Sequence, residues 1–168
     1  MKHEFLACPF TIIVDSREQS SYDFRNLKSD AKDGGVPIVV KTERRALKTG
    51  DYSIDGFEDL FSVERKELGD LFHCMGTDRN RFEQQLTRLN ELDYACVVIE
   101  ADLARIRRGH DMSKLLPKSI FRSIVSYQID RFPNVHWWAC PGKLFAEQIT
   151  FRILQRCWKQ YATETPKA

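Results

Sequence analysis

The chain has 168 residues, of which 42% are hydrophobic, 30% charged and 11% aromatic. That length suits one compact domain with a real core, and the composition excludes whole-chain disorder and collagen-like or low-complexity architecture. Lys and Arg number 26 against 24 Asp and Glu, so any nucleic-acid partner must be held by local patches and metal ions and not by a general positive field.

The longest apolar stretches, such as YACVVI at 94–99, fall far short of the roughly 20 residues that a membrane span needs. The start MKHEFLACPF lacks the long apolar core of a signal peptide. The expectation is an intracellular protein, cytoplasmic or, in a eukaryote, nuclear, with no membrane partner. Five cysteines, Cys8, Cys74, Cys96, Cys140 and Cys157, are widely spaced, with no C-x-x-C pair and no His at finger spacing. They read as reduced thiols, several of them buried.

In chain order, FTIIVD (10–15) is an apolar run ending in an acid, the pattern of a buried strand that delivers a carboxylate at its end. VPIVVKTE (36–43) is β-branched and reads as a second strand after the loop SDAKDGG. DYSID (51–55) and DLFSVERK (59–66) form a hairpin turning at Asp55-Gly56. RNRFEQQLTRLNEL (79–92) puts Phe82, Leu86 and Leu89 at helical spacing, with Asp78 as N-cap. YACVVIE (94–100) reads as a central strand covered on both faces. A helix begins near Pro117 and runs to about Phe132. NVHWWAC (134–140) is the last strand, and residues 143–161 form the last helix, with Phe145, Ile149, Ile153 and Leu154 as its sheet-covering stripe. Trp137, Trp138 and Trp158 read as core, His73, His110 and His136 have no metal-ligand spacing, and the tail TETPKA is expected to fray. Alternating strands and helices of these lengths imply an α/β fold with a central mixed β-sheet flanked by helices.

Chemistry concentrates in GDYSIDGFEDLFSVERKELGD, residues 50–70. In a strand over 59–66, Glu64 and Lys66 share a face, roughly 6–7 Å apart along the backbone, and Arg65 points to the other face. The hairpin would lay Asp51 near Glu64, placing two carboxylates beside one ammonium. Mg²⁺ or Mn²⁺ favours carboxylate oxygens and takes substrate phosphate as a further ligand. Such a layout suits phosphodiester hydrolysis, with the ion polarising the phosphoryl oxygen and Lys66 orienting water or countering developing charge. By itself the pattern also fits a solvated strand face with a salt bridge at Glu64.

The run V-E-R-K-E-L-G-D has the form E-R-K-x-x-x-D, and Gly50-Asp51 precede it. With D-S-R-E at 15–18, N-R-F-E-Q-Q at 80–85 and VVIE at 97–100, it resembles the nuclease domain of the XPF-type structure-specific endonucleases, over roughly residues 10 to 160. The resemblance implies a restriction-endonuclease-like core that cuts branched or flapped DNA near a junction with Mg²⁺ or Mn²⁺. Matched motif by motif, Asp51, Glu64 and Asp15 would be metal ligands, Lys66 would assist the attacking water, Glu18 would be a further acid, and Arg65 and Asp70 would complete the motif. Arg17 and Arg81 would hold phosphate or orient acids, as would Gln85, for which Gln84 competes. Family members usually carry a tandem helix-hairpin-helix module and often a helicase region; neither is expected in 1–168, which reads as a single nuclease domain.

Two basic concentrations, RIRRGH (105–110, with Arg105, Arg107 and Arg108) and KTERRALK (41–48), are candidates for following a phosphate backbone. Tyr52, beside Asp51, could stack on a base or sugar or equally pack within its strand. The expected function is a metal-dependent DNA endonuclease of branched, flap or fork structures, in repair, recombination or replication, as a possible homodimer or with a separate DNA-binding partner. Two alternatives stay open: a non-catalytic DNA-binding subunit of a nuclease dimer, and a nuclease of unbranched nucleic acid.

Overall fold

A computed structural model describes residues 4–164. Its strands are β1 (Leu6–Asp15), β2 (Ile38–Arg45), β3 (Tyr52–Ile54), β4 (Phe61–Lys66), β5 (Tyr94–Ile99) and β6 (Val135–Ala139). Its helices are α1 (Leu68–Met75), α2 (Arg79–Asn90), α3 (Leu103–Arg108), α4 (Pro117–Ser126) and α5 (Lys143–Glu164). The strands form one sheet in the order β2-β1-β3-β4-β5-β6. Strand β3 is antiparallel to both β1 and β4, and the remaining neighbours pair in parallel. The mixed sheet flanked by helices is the expected α/β architecture.

Because side chains alternate across a strand, the sheet splits the core in two. Cys96 and Val98 of β5 join Ile12, Val14, Tyr52 and Val63 beneath Phe151 and Leu154 of α5. Ala95, Val97 and Ile99 instead meet Leu71, Phe72, Phe82, Leu86 and Ile120, from α1, α2 and α4. Strand β5 is therefore covered on both faces, as its continuous apolar run requires. No helix among the described residues is long and apolar enough to cross a membrane. No disulfide forms: Cys74, Cys96, Cys140 and Cys157 are buried free thiols, and Cys8 is a half-buried one.

Several local expectations change. Helices α1 and α3 lie outside the elements expected from the sequence, although α1 carries an apolar stripe at helical spacing, Leu68, Leu71, Phe72 and Met75. Asp78 makes no side-chain cap bond and pairs instead with Arg81 at 3.7 Å. The α4 helix stops at Ser126, and a π-type turn, Tyr127–Arg131, carries the chain on to Phe132. Strand β6 lies at the sheet edge, so Trp138 is 43% exposed and not core.

The last helix is rotated by about one residue from the expected stripe. Phe145 is exposed, Ile149 and Ile153 sit on the shoulder, and Ala146, Glu147, Thr150, Phe151 and Leu154 face inward. Glu147 explains the shift: its Oε1 accepts the Asp23 and Phe24 N–H groups at 3.0 and 2.7 Å. Phe24 has φ +55°, a left-handed conformation rare for a bulky residue. Its ring packs edge-on against Tyr22 and Tyr52, so the Glu147 carboxylate and the aromatic cluster together hold the loop that follows β1.

Candidate active site

Register builds the site. Tyr52 pairs with Val63 and Val14 pairs with Tyr52, so one rung further on Asp15, Asp51 and Glu64 lie side by side on three neighbouring strands. All three point to the same face. Backbone bonds continue through this rung: Asp51 N–H donates to Val63 C=O and Asp15 N–H to Asp51 C=O, each at 2.8 Å. The close approach depends on Gly50, which has φ +77° and where a Cβ would lie 2.0 Å from Ser62 Oγ. Glycine before the aspartate is therefore required by both backbone conformation and space.

Above this rung a cleft of about 370 Å³ opens between the sheet, α1 and α2. Asp15, Arg17, Glu18, Asp51, Glu64, Lys66, Asp70, Arg81 and Gln85 all line it. Nine of the site residues read from the sequence thus converge on one cavity.

At its centre Glu64 is almost fully buried. One of its oxygens accepts from Lys66 Nζ at 2.5 Å, and the other from Gln85 Nε2 at 2.5 Å. Gln85, and not the exposed Gln84, is the residue of α2 that reaches the acid. Asp51 Oδ2 accepts the Arg65 N–H at 2.7 Å, while its Oδ1 accepts no hydrogen bond from the described residues. Burial raises both acids above the ordinary carboxyl range, and for Asp51 the neighbouring Glu64 charge adds to the effect. Burial disfavours the Lys66 ammonium, but Glu64 offsets that cost and its pKa ends above the usual lysine value.

Asp15 is in a different electrostatic state. Arg17 grips it through Nε at 2.8 Å and Nη2 at 2.7 Å, and the Arg17 and Leu47 N–H groups add bonds of 2.7 and 2.9 Å. The Arg17 fork lowers its pKa to about 2. The charge of Asp15 is thus already answered within the protein, and the carboxylate ties the end of β1 to the 45–50 loop.

Arg65 points away from the cleft, as strand alternation requires. It forks onto Glu100 at 2.7 and 3.0 Å, bonds Glu67, and approaches Glu18 at 3.4 Å. Its guanidinium lies 5.6 Å from the Tyr22 ring centroid. Arg65 is a positioning residue: its side chain joins β4, β5, the start of α1 and the loop after β1, while its N–H orients Asp51.

Tyr52 requires a correction. It is fully buried, stacked on Tyr22 at 5.1 Å, and its hydroxyl accepts the Tyr22 N–H at 2.8 Å, so it offers no face to a base. Within the 41–48 patch, Arg45 and Lys48 pair with Asp55, Glu58 and Asp59, while no ion pair engages Lys41 or Arg44 among the described residues. Arg105, Arg107 and Arg108 form the end of α3 and do not line the cleft.

Sequence reasoning missed His73, Cys74 and Arg88, which also line the cleft. Arg88 follows Arg81 and Gln85 at spacings of four and three, the signature of a single helix face, so this residue was within reach of the sequence. Cys74 is inert, because burial pushes its thiol up to about 12.

A buried and a half-buried carboxylate with raised pKa, Glu64 and Asp51, and an Asp51 oxygen that accepts no hydrogen bond from the described residues suit an ion that retains waters and takes phosphate as a ligand, as Mg²⁺ does. Among the described residues no group of three or more His, Cys, Asp or Glu is placed to cage an ion, so an open two-carboxylate site is the arrangement these residues offer.

No curated protein matches the sequence significantly. Among solved structures, the chain is similar to XPF from Aeropyrum pernix, at 21% identity and a TM-score of 0.55, over 87% of this chain and 65% of that one. It is also similar to XPF from Aeropyrum pernix in complex with DNA, at 20% identity and a TM-score of 0.57, over 90% of this chain and 66% of that one. The chain therefore spans just under two thirds of the length of the XPF chains it matches, and it shares the restriction-endonuclease-like fold of their nuclease domain. The ERCC4 domain model matches residues 14–149, a span that holds the whole Asp15–Asp51–Glu64 rung and every helix of the cleft; the chain belongs to the ERCC4 domain family of XPF-type nucleases.

Proposed function

We propose that this chain is the nuclease domain of a metal-dependent DNA endonuclease that hydrolyses phosphodiester bonds at branched, flap or fork structures in repair, recombination or replication. The observation that carries this reading is the Asp51–Glu64 pair: a half-buried and a buried acid side by side in an open cleft, both raised above the ordinary carboxyl range, with Lys66 paired to Glu64 and no cation paired to Asp51 among the described residues. Mg²⁺ or Mn²⁺ held by these two carboxylates would add positive charge, polarise a phosphoryl oxygen and acidify a bound water.

The chain's own residues do the rest. Gln85 fixes the Glu64 carboxylate from one side and the Arg65 N–H fixes Asp51 from the other, so the two acids are preorganised before substrate arrives. Lys66 places a positive charge beside Glu64, where it counters the negative charge that develops as water adds to phosphorus and the bond to the leaving sugar oxygen breaks. Arg81 and Arg88 stand four residues before and three after Gln85 on α2, so they flank the reacting centre along the helix and hold neighbouring phosphates. Arg17, whose side chain is 70% exposed, supports the far rim. Trp138 on the edge strand β6 and Phe145 on α5 are exposed apolar residues that a second copy of the chain could cover.

The test is cleavage of end-labelled flap, fork, four-way junction and plain duplex DNA, with Mg²⁺, Mn²⁺ or EDTA, by wild type and Glu64→Gln. Metal-dependent cutting near the junction is expected, falling by about a thousandfold or more in the variant. Equal cutting of plain duplex would overturn the substrate assignment. Binding without cutting by wild type would favour a non-catalytic DNA-binding subunit.

A further inference from the structure

We infer that a groove beside the cleft binds the unpaired strand of the nucleic acid that is cut, an inference that rests on the nuclease reading above. The groove, about 740 Å³, lies between α1 and the 109–116 loop that joins α3 to α4. His73 lines both cavities, so cleft and groove meet across one side chain of α1.

The two linings differ in charge. Six carboxylates line the cleft and none lines the groove, where Lys114 supplies the formal charge alongside the imidazoles of His73 and His110. Asp111 belongs to the same loop but lies outside the lining. At the other end of the loop, Arg107 and Arg108 are exposed at the close of α3. In a chain whose charges nearly cancel, a cavity lined by Lys114 and by no carboxylate is suited to a phosphate backbone.

The groove is built into the fold. Gly109 has φ +88° and turns the chain out of α3, and Arg105 Nη1 donates to its carbonyl at 2.8 Å. His110 settles against Phe72, with ring centroids 6.0 Å apart, and against Gly69, where a Cβ would stand 3.4 Å from Nε2. The Ser113 N–H then closes a turn onto His110 C=O at 2.9 Å.

The apolar part of the lining selects between paired and unpaired strands. Met112 is 90% exposed and Leu115 lies beside it in the lining. Such contacts gain nothing from a duplex, whose bases are stacked inside, but they can cover the faces of unstacked bases. The volume falls within the roughly 300–1,000 Å³ of small-ligand sites, enough for nucleotides and too little for a duplex. A strand that is paired in the cleft and unpaired in the groove is the substrate this arrangement favours.

The experiment measures anisotropy of fluorescein-labelled oligothymidylate, flap DNA and plain duplex in EDTA, with wild type, Lys114→Glu and Met112→Glu. Both side chains lie outside the catalytic cleft, and Met112 is exposed, so the variants should fold as wild type does. Oligothymidylate and flap binding should weaken about five- to tenfold in each variant, with duplex binding changed less than about twofold. Equal weakening of flap and duplex, unchanged binding of all three, or no oligothymidylate binding by wild type would each overturn the proposal. Cleavage of the flap with Mn²⁺, run in parallel, judges the nuclease reading separately: its absence would count against that reading, while the binding results would still decide the groove.

Discussion

Asp15 and Asp51 stand on adjacent strands at the floor of one cleft, joined by a 2.8 Å backbone hydrogen bond, yet their environments drive their carboxyls in opposite directions. At the β1 end, Arg17 and two N–H groups surround Asp15 and hold its pKa at about 2. At the β3–β4 centre, burial and the neighbouring Glu64 raise Asp51, and Lys66 is the nearest ammonium for the pair. On the opposite face of β4, Arg65 is balanced against Glu18, Glu67 and Glu100. Where the protein supplies the counter-charge, as for Asp15 and Arg65, the ionised group organises structure. For Asp51, with no paired cation among the described residues, and for Glu64, which shares Lys66, burial outweighs the counter-charge, and the proposed cation site rests on that difference.

The largest stability effect should come from breaking the balanced face. Arg65→Ala leaves three carboxylates without their cation at a nearly buried position, and urea denaturation should show a loss of about 3 kcal/mol or more. An effect below about 1 kcal/mol would move Arg65 into the class of surface pairs.

Asp15→Asn comes next. A carboxyl lowered in the folded state contributes stability that is full above its unfolded value of about 4 and is lost as pH falls through about 2. The variant should be about 2 kcal/mol less stable at pH 7 and converge on wild type near pH 2.

Asp51→Asn should show the reverse sign. A raised carboxyl imposes a cost that is absent below its unfolded value of about 4 and grows as pH rises towards its folded value. In EDTA at pH 8 the variant should be about 1 kcal/mol more stable than wild type, and the two melting curves should meet in acid. Destabilisation at pH 8 would show that the Asp51 charge is already satisfied within the protein.

The smallest effect sharpens the comparison at the cleft rim. Arg88→Ala should weaken DNA binding uniformly across sequences and reduce the salt slope by about 1. An unchanged slope would remove Arg88 from the phosphate track.

The centre of the site was the most legible part of the sequence. Period-two alternation placed Glu64 and Lys66 together with Arg65 behind them, and the Asp55-Gly56 turn set the hairpin that brings Asp51 opposite Glu64. What sequence could not supply was environment. Asp15 and Asp51 are the same residue type at strand ends, and their difference comes from Arg17 folding back and from the reach of α2. Tyr52 looked available for stacking because polar residues flank it, whereas its own face of β3 is core. Helix α1 was legible in the stripe Leu68, Leu71, Phe72 and Met75 despite its eight-residue length and Gly69, whereas α3 was hidden by its density of arginine. The turn of α5 was misjudged because its inward face carries Glu147 and Thr150, polar residues that a hydrophobic stripe passes over.

The most direct test of the account is calorimetric titration of Mn²⁺ into wild type and Asp51→Asn at pH 7, in two buffers of different ionisation enthalpy. Raised carboxyls must give up protons when an ion replaces them, so wild type should bind Mn²⁺ with measurable proton release, and the variant should lose most of both binding and release. Equal binding by the two proteins, or binding by wild type without proton release, would contradict the claim that the Asp51–Glu64 pair is the ion site.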